Sequence, residues 1–346
     1  MNVKPDIKRW LLEDNNPSAK YLAMTSLLGA DKLSREAIEQ EKMIYSFTPC
    51  EKILRKIDEG IFWDDTVSPY APKYKTVYWQ IIILSQLGVS IRNEKIKDAC
   101  EFVLNLQHPE GGFSEQIWHV AEKAYLNFKR RCEQRGKKVP DMNKWVSDLV
   151  HESELTCLTG NLLISFINMG FGISDPRIKK AYEWLIKTQN KDGGWLCPYW
   201  RAHIKDKHSC FIGAITPLEA LSLIPEEQRT VEMKSSIEKG AEFLLMHHLY
   251  KADHHSFEVI NENWLKLNFP VFWYDFLRGM NVIAGLGYLK DKRARDAVEL
   301  LLRKQTAEGK WNLEKTPKGR MYADFGKVGK PNKWVTINAL RVVKEL

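Results

Sequence analysis

Leu106-Gln107-His108-Pro109-Glu110-Gly111-Gly112-Phe113 is matched downstream by Thr188-Gln189-Asn190-Lys191-Asp192-Gly193-Gly194-Trp195 and by Lys304-Gln305-Thr306-Ala307-Glu308-Gly309-Lys310-Trp311. Each stretch reads Gln, three residues, Gly, one residue, then Phe or Trp. Each also has a bulky apolar residue five positions before its Gln: Phe102, Trp184 and Leu300. A degenerate fourth copy fits at Phe243-Leu244-Leu245-Met246-His247-His248. The register positions 107, 189, 248 and 305 stand 82, 59 and 57 residues apart. Periods of this size imply a repeat architecture, with an insertion of roughly 25 residues in the first interval, near 114–155.

Between the markers lies a second kind of helix, expected over 75–88, 156–170, 209–224, 273–287 and 333–346. These segments are apolar nearly all round, as in Ile81-Ile82-Ile83-Leu84, and such helices belong between other helices. Marker helices such as 175–189 instead carry a charged face with Arg177, Lys179, Lys180, Glu183 and Lys187. Each repeat is therefore one inner and one outer helix joined by Gly-containing turns. Residues 18–29 supply a sixth inner helix, and six can close into a ring. The expected fold is all-α, an α/α toroid: a six-hairpin barrel of inner and outer helices. The N-terminal helices of 1–74 would complete the ring, and 75–346 would hold the repeats.

The composition narrows the function classes. Among 346 residues, 52 Lys and Arg face 44 Asp and Glu, a net charge of +8. Both signs are interleaved along the chain, whereas a nucleic-acid binder concentrates its surplus in a face or tail. Hydrophobic residues at 44% exclude a disordered chain. No run approaches ~20 apolar residues, the length of a membrane span. The first residues lack a signal-peptide pattern, so a cytoplasmic location is expected. In that setting the six cysteines, Cys50, Cys100, Cys132, Cys157, Cys197 and Cys210, are not expected to form a disulfide framework. Cys100 reads as a core residue and Cys132 as part of a solvated basic stretch. That stretch, 128–138, is a surface on which an acidic protein partner would dock.

The Gln-x3-Gly-x-aromatic marker resembles the repeat of squalene and oxidosqualene cyclases and of the β-subunits of protein prenyltransferases. It also resembles small stand-alone bacterial and archaeal proteins of the same repeat class, through Asn16-Pro17-Ser18, Cys157-Leu158-Thr159-Gly160-Asn161 and Lys333-Trp334-Val335-Thr336. In such a toroid the inner helices run parallel and their N-termini gather at one mouth, which favours thiolates, carboxylates and phosphates. Cys157 and His208-Ser209-Cys210 begin adjacent inner helices, with Cys197 in the connection between them. Zinc is the expected cofactor, held by Cys157, Cys197, His208 and Cys210. His208-x-Cys210 resembles the Asp-x-Cys of the prenyltransferases with His replacing Asp.

Asp275, at the start of another inner helix, is the expected catalytic acid. The cyclases' Asp-x-Asp-Asp string does not occur, and Asp64-Asp65 reads as a turn. Tyr74, Tyr78, Trp79, Trp273, Tyr274 and Trp334 are expected to line an aromatic cavity, with Arg278 and Lys333 holding a polar head group. Lys73, Lys75, Arg320 and Lys330 stand at the same end. His247-His248 and His254-His255 are explained by a polar surface turn. The resemblance implies a zinc-dependent enzyme acting on an isoprenoid-like or other hydrophobic small molecule, by prenyl transfer or cyclisation. The alternative is a non-catalytic toroid binding a lipid or peptide, with structural zinc.

Overall fold

A computed structural model describes residues 3–58, 67–199, 205–254 and 256–346. Among them the chain is helical, with isolated bridges and no strand. The early helices are α1 (Pro5–Leu11), α2 (Pro17–Leu22, prolonged by a π-helical turn Ala23–Leu27), α3 (Arg35–Tyr45), α4 (Thr48–Asp58), α5 (Val77–Leu87) and α6 (Glu94–Leu104). Then follow α7 (Trp118–Gln134), α8 (Met142–Glu152), α9 (Thr156–Met169), α10 (Pro176–Lys187) and α11 (Phe211–Ser222). The chain ends with α12 (Val231–Met246), α13 (Phe276–Gly285), α14 (Arg295–Arg303) and α15 (Lys333–Lys344).

Six of these pack in sequence around a ring: α2 on α5, α5 on α9, α9 on α11, α11 on α13, α13 on α15, and α15 back on α2. Outside them lie α3, α6, α10, α12 and α14, each against the inner helix that precedes it. The α/α toroid is the fold. Its inner helices are where the apolar segments place them. α5 is buried along its length except at Gln86, whereas α10 buries Ile178, Ala181, Tyr182 and Leu185 and exposes Lys179, Lys180, Glu183 and Lys187.

The repeated marker is the joint between successive repeats. Gln189 Nε2 donates to the Gly193 carbonyl of its own loop (2.7 Å) and to the Ser236 carbonyl of the next outer helix (2.9 Å). Gln107 does the same with Gly111 and Arg177, both at 2.9 Å. Gly193 has φ +89, and a Cβ there would stand 2.3 Å from the Lys239 carbonyl oxygen, so both the turn and the close approach require glycine. In the third copy α1 takes the place of the next outer helix, with Ile7 packed at Gly309. The marker aromatics are buried, and the indoles of Trp195 and Trp311 donate to Leu185 and Leu301 carbonyls ten residues back, at 2.7 and 2.8 Å. Their carbonyls accept from Cys210 N and Asn332 N, which fixes where the next inner helix begins. The fourth copy keeps only its place, at the end of α12, where His248 and Leu249 adopt positive φ.

The insertion forms a helical hairpin, α7 and α8, with a small core of its own at Ala121, Tyr125 and Val146. Phe128 and Trp145 stack there at 5.2 Å. Its basic residues Lys129, Arg130, Arg131, Arg135, Lys137 and Lys138 are exposed. Cys132, expected among them, is instead buried: α7 is amphipathic and turns that one small side chain inward. Among the described residues no disulfide joins any of the six cysteines. No described helix is long and apolar enough to cross a membrane.

Candidate functional site

The ring encloses a chamber of about 320 Å³ to which all six inner helices contribute. That is near the lower end of the range for small-molecule sites, roughly 300–1,000 Å³. Gly88, Asn168, Leu223 and Arg341, at or near the C-terminal ends of α5, α9, α11 and α15, all line it. The segment 268–273 enters the bore ahead of α13. Gln86 holds Val271 there, Asn161 Nδ2 donates to the Phe272 carbonyl (2.9 Å), and Arg278 donates to the Trp273 carbonyl (2.9 Å). Phe269 and Val271 face the chamber.

This plug separates the aromatic residues into two groups. Trp79 packs with Tyr70, Tyr74, Phe272 and Trp273 at centroid distances of 5.1 to 5.4 Å, and its indole donates to the Tyr70 carbonyl. Tyr74, Tyr78, Trp79, Trp273 and Tyr274 do not line the chamber. Tyr274 points the other way, its hydroxyl donating to the Leu249 carbonyl. Of the expected aromatic wall only Trp334 reaches the chamber, stacked on Phe269 at 4.6 Å and 7°. The inner helices turn amides and hydroxyls inward as well: Asn161, Ser165, Asn168, Asn281 and Asn338.

Asp275 lies in the chamber wall at the N-cap of α13 and is 1% exposed. Its Oδ1 accepts from Arg278 N (2.8 Å) and its Oδ2 from Asn268 Nδ2 (2.9 Å). Burial raises its carboxyl above the ordinary value, against the lowering effect of those bonds and of the Arg278 charge. Arg278 is locked: Nε donates to Glu219 Oε2 at 2.6 Å and an Nη to Asn161 Oδ1 at 2.9 Å. Arg341 also faces the chamber and has no hydrogen bond or ion pair among the described residues. Arg341 is exposed to solvent at this end; the protein packed around it lowers its guanidinium pKa and Glu219 raises it. Lys32, an exposed residue, lines the same end, and the nearby protein and then Arg341 and Arg92 lower its ammonium pKa.

The other expected basic contacts are occupied. Lys333 Nζ donates to Glu13 Oε2 (3.0 Å) and Asn15 Oδ1 (2.8 Å), outside the chamber. Lys73 lies over Tyr70 and Trp273, and Lys75 over Tyr322.

Among the expected metal ligands, the Cys157 thiol is hydrogen-bonded to Cys197. That bond, and then burial, raises Cys157 well above the usual thiol range. Cys210 is raised chiefly by burial, with a smaller contribution from Cys197. His208 stands against His254, ring centroids 5.5 Å apart. Among the described residues, three donor atoms of His, Cys, Asp or Glu come within 4.8 Å of one another only at His108, His151 and Glu154. Asp64, Asp65 and His255 lie outside the described residues.

Sequence reading missed Gln86, Asn161, Glu219 and Arg341. A signal was present at Glu219, the one charged residue of α11.

No protein-family model matches the chain. Over 116 residues, a third of the chain, it is 26% identical to squalene–hopene cyclase of Bradyrhizobium diazoefficiens. The likeness is to the squalene cyclase-like superfamily. The matched stretch spans 12% of that relative's length. Among solved structures it aligns with a type II terpene cyclase from Scytonema, in complex with its product merosterolic acid A. There the TM-score is 0.44 and the identity 11%, over 99% of both chains.

Proposed function

We propose that the protein is a cyclase-like isomerase in which Asp275 protonates a short unsaturated isoprenoid held in the central chamber. One observation carries the reading: the Asp275 carboxyl and the stacked Phe269–Trp334 pair line the same enclosed space. A carboxyl whose pKa is raised by burial keeps its proton nearer neutrality. The faces of neighbouring rings stabilise a carbocation, by roughly 0.5–2 kcal/mol per contact. The proton adds to one alkene carbon, the cation forms at its neighbour, and loss of a proton from the rearranged cation restores the acid. No atom is gained or lost overall. Asn268 and Arg278 N hold the carboxyl in place for both transfers.

The reading extends to the substrate's polar end. Arg341 and Lys32 stand at the open end of the chamber with no acid bonded to the guanidinium, which suits a carboxylate or phosphate head. Leu22, Ile82, Ile164, Val271, Leu277 and Ile337 supply apolar wall for the chain.

The test is titration of the protein with farnesoic acid and farnesol, followed by product analysis. The account expects the acid to bind more tightly and to be converted, and Asp275→Asn to bind without converting it. Asn is an equally good N-cap, so the variant keeps the helix start. Tight binding with no conversion by either protein would leave a carrier rather than an enzyme.

A further inference from the structure

Outside the chamber, His108 of the first marker loop meets His151 and Glu154, which stand three residues apart at the end of α8 and the entry to α9. We propose that they form a binding site for one divalent ion of the zinc class, which fastens the α7–α8 insertion to the first repeat. Nδ1 of His108 lies 3.0 Å, and Nδ1 of His151 2.8 Å, from the same Glu154 oxygen, Oε1. Two imidazoles aimed at one carboxylate oxygen crowd donor atoms where a cation would sit. An ion bound at about 2.0–2.1 Å from N and O holds neighbouring donors about 3.0–3.4 Å apart, so the two N···O pairs need only a few tenths of an ångström of opening.

A second observation points the same way. Glu154 is fully buried, and its other oxygen, Oε2, has no partner among the described residues. That oxygen occupies a gap that exists only because residue 112 is glycine: a Cβ there would lie 2.2 Å from it. The Trp184 indole packs against the same gap, and its buried N–H also lacks a partner, which makes it a donor for the carboxylate behind a metal. Tyr199 packs on His151 with ring centroids 3.9 Å apart and the planes tilted by 35°.

Two nitrogens and one carboxylate suit Zn²⁺ over the oxygen-preferring Mg²⁺ and Ca²⁺. The His108 and His151 side chains are 19% and 35% exposed, so water can complete the shell from the solvent side. The site does not depend on the chamber reading.

The full-length protein, stripped with chelator and dialysed, is titrated with Zn²⁺ by calorimetry and then loaded with Co²⁺ for absorption spectroscopy. The inference expects one saturable equivalent, a rise in Tm on zinc addition, and a cobalt spectrum without a thiolate charge-transfer band. His151→Ala and Glu154→Gln should each weaken binding by about 100-fold or more, while Cys157→Ala and Cys197→Ala leave it unchanged. The wild-type titration and cobalt spectrum need no variant to fold. Absence of saturable zinc binding, a thiolate band, or undiminished binding by both His151→Ala and Glu154→Gln would overturn the proposal.

Discussion

Gln86 grips the peptide group of Val271 from both sides, its Nε2 donating to the Val271 carbonyl and its Oε1 accepting from the Val271 N–H, each at 2.8 Å. The pair joins residues 185 positions apart, one on α5 and one in the plug. It fixes Val271 in the chamber wall. Gln86→Leu should leave both backbone groups unsatisfied and cost about 1–3 kcal/mol for each group that water cannot reach. Urea denaturation measures the loss. Farnesoic acid binding should weaken with it, because Val271 forms part of the wall.

The marker glutamines should behave as structural joints. Gln189→Ala removes bonds to Gly193 and Ser236 and should cost about 1–3 kcal/mol. Turnover of the remaining folded protein should be unchanged, since Gln189 does not line the chamber. A large fall in kcat at unchanged stability would contradict this assignment.

The pH dependence of stability follows from Asp275. Its folded pKa is raised above the ordinary 3.8, so the folded state binds its proton more tightly than the unfolded chain does. Its contribution is therefore complete below 3.8 and is lost as pH rises through the folded value. Asp275→Asn keeps the cap and cannot ionise. It should melt higher than wild type at neutral pH, and the advantage should vanish in acid. Thermal melts of both proteins across that interval check the sign.

Arg341 sets the charge of the open end. Arg341→Met should weaken binding of farnesoic acid by about 10-fold or more, the scale of a charged hydrogen bond, while farnesol binding changes little. Added salt should weaken the acid's binding to wild type more than to the variant. Equal losses for acid and alcohol would show that the guanidinium acts through packing alone.

The fold was legible because it is written by periodicity. The inner segments 156–170 and 333–346 appear as α9 and α15, and the marker appears as the joint that its regular spacing implied. The site was less legible, because the deciding contacts are between positions far apart in sequence. Nothing local says that Phe269–Val271 enters the bore, and without that plug Trp79 and Trp273 read as chamber wall. With it, they pack behind the wall. Asp275 was placed from its position at a helix start, and that position does put it in the chamber. His208 joins the cysteines only through the gathering of inner-helix starts at one mouth, and its ring lies against His254. Glu154 and His151, in the insertion, carried no spacing signal. Their partner His108 sits inside the marker, where the repeat pattern drew attention to Gln107 and Gly111.

Proton transfer from Asp275 to a ligand in the chamber is the central claim, and incubation in D₂O tests it most directly. Farnesoic acid is incubated with wild type and with Asp275→Asn, and the products are analysed by mass spectrometry. The account predicts a wild-type product heavier by one deuterium on carbon. It predicts no product from Asp275→Asn, although that variant binds the acid as tightly. A product without deuterium, or equal conversion by both proteins, would contradict it.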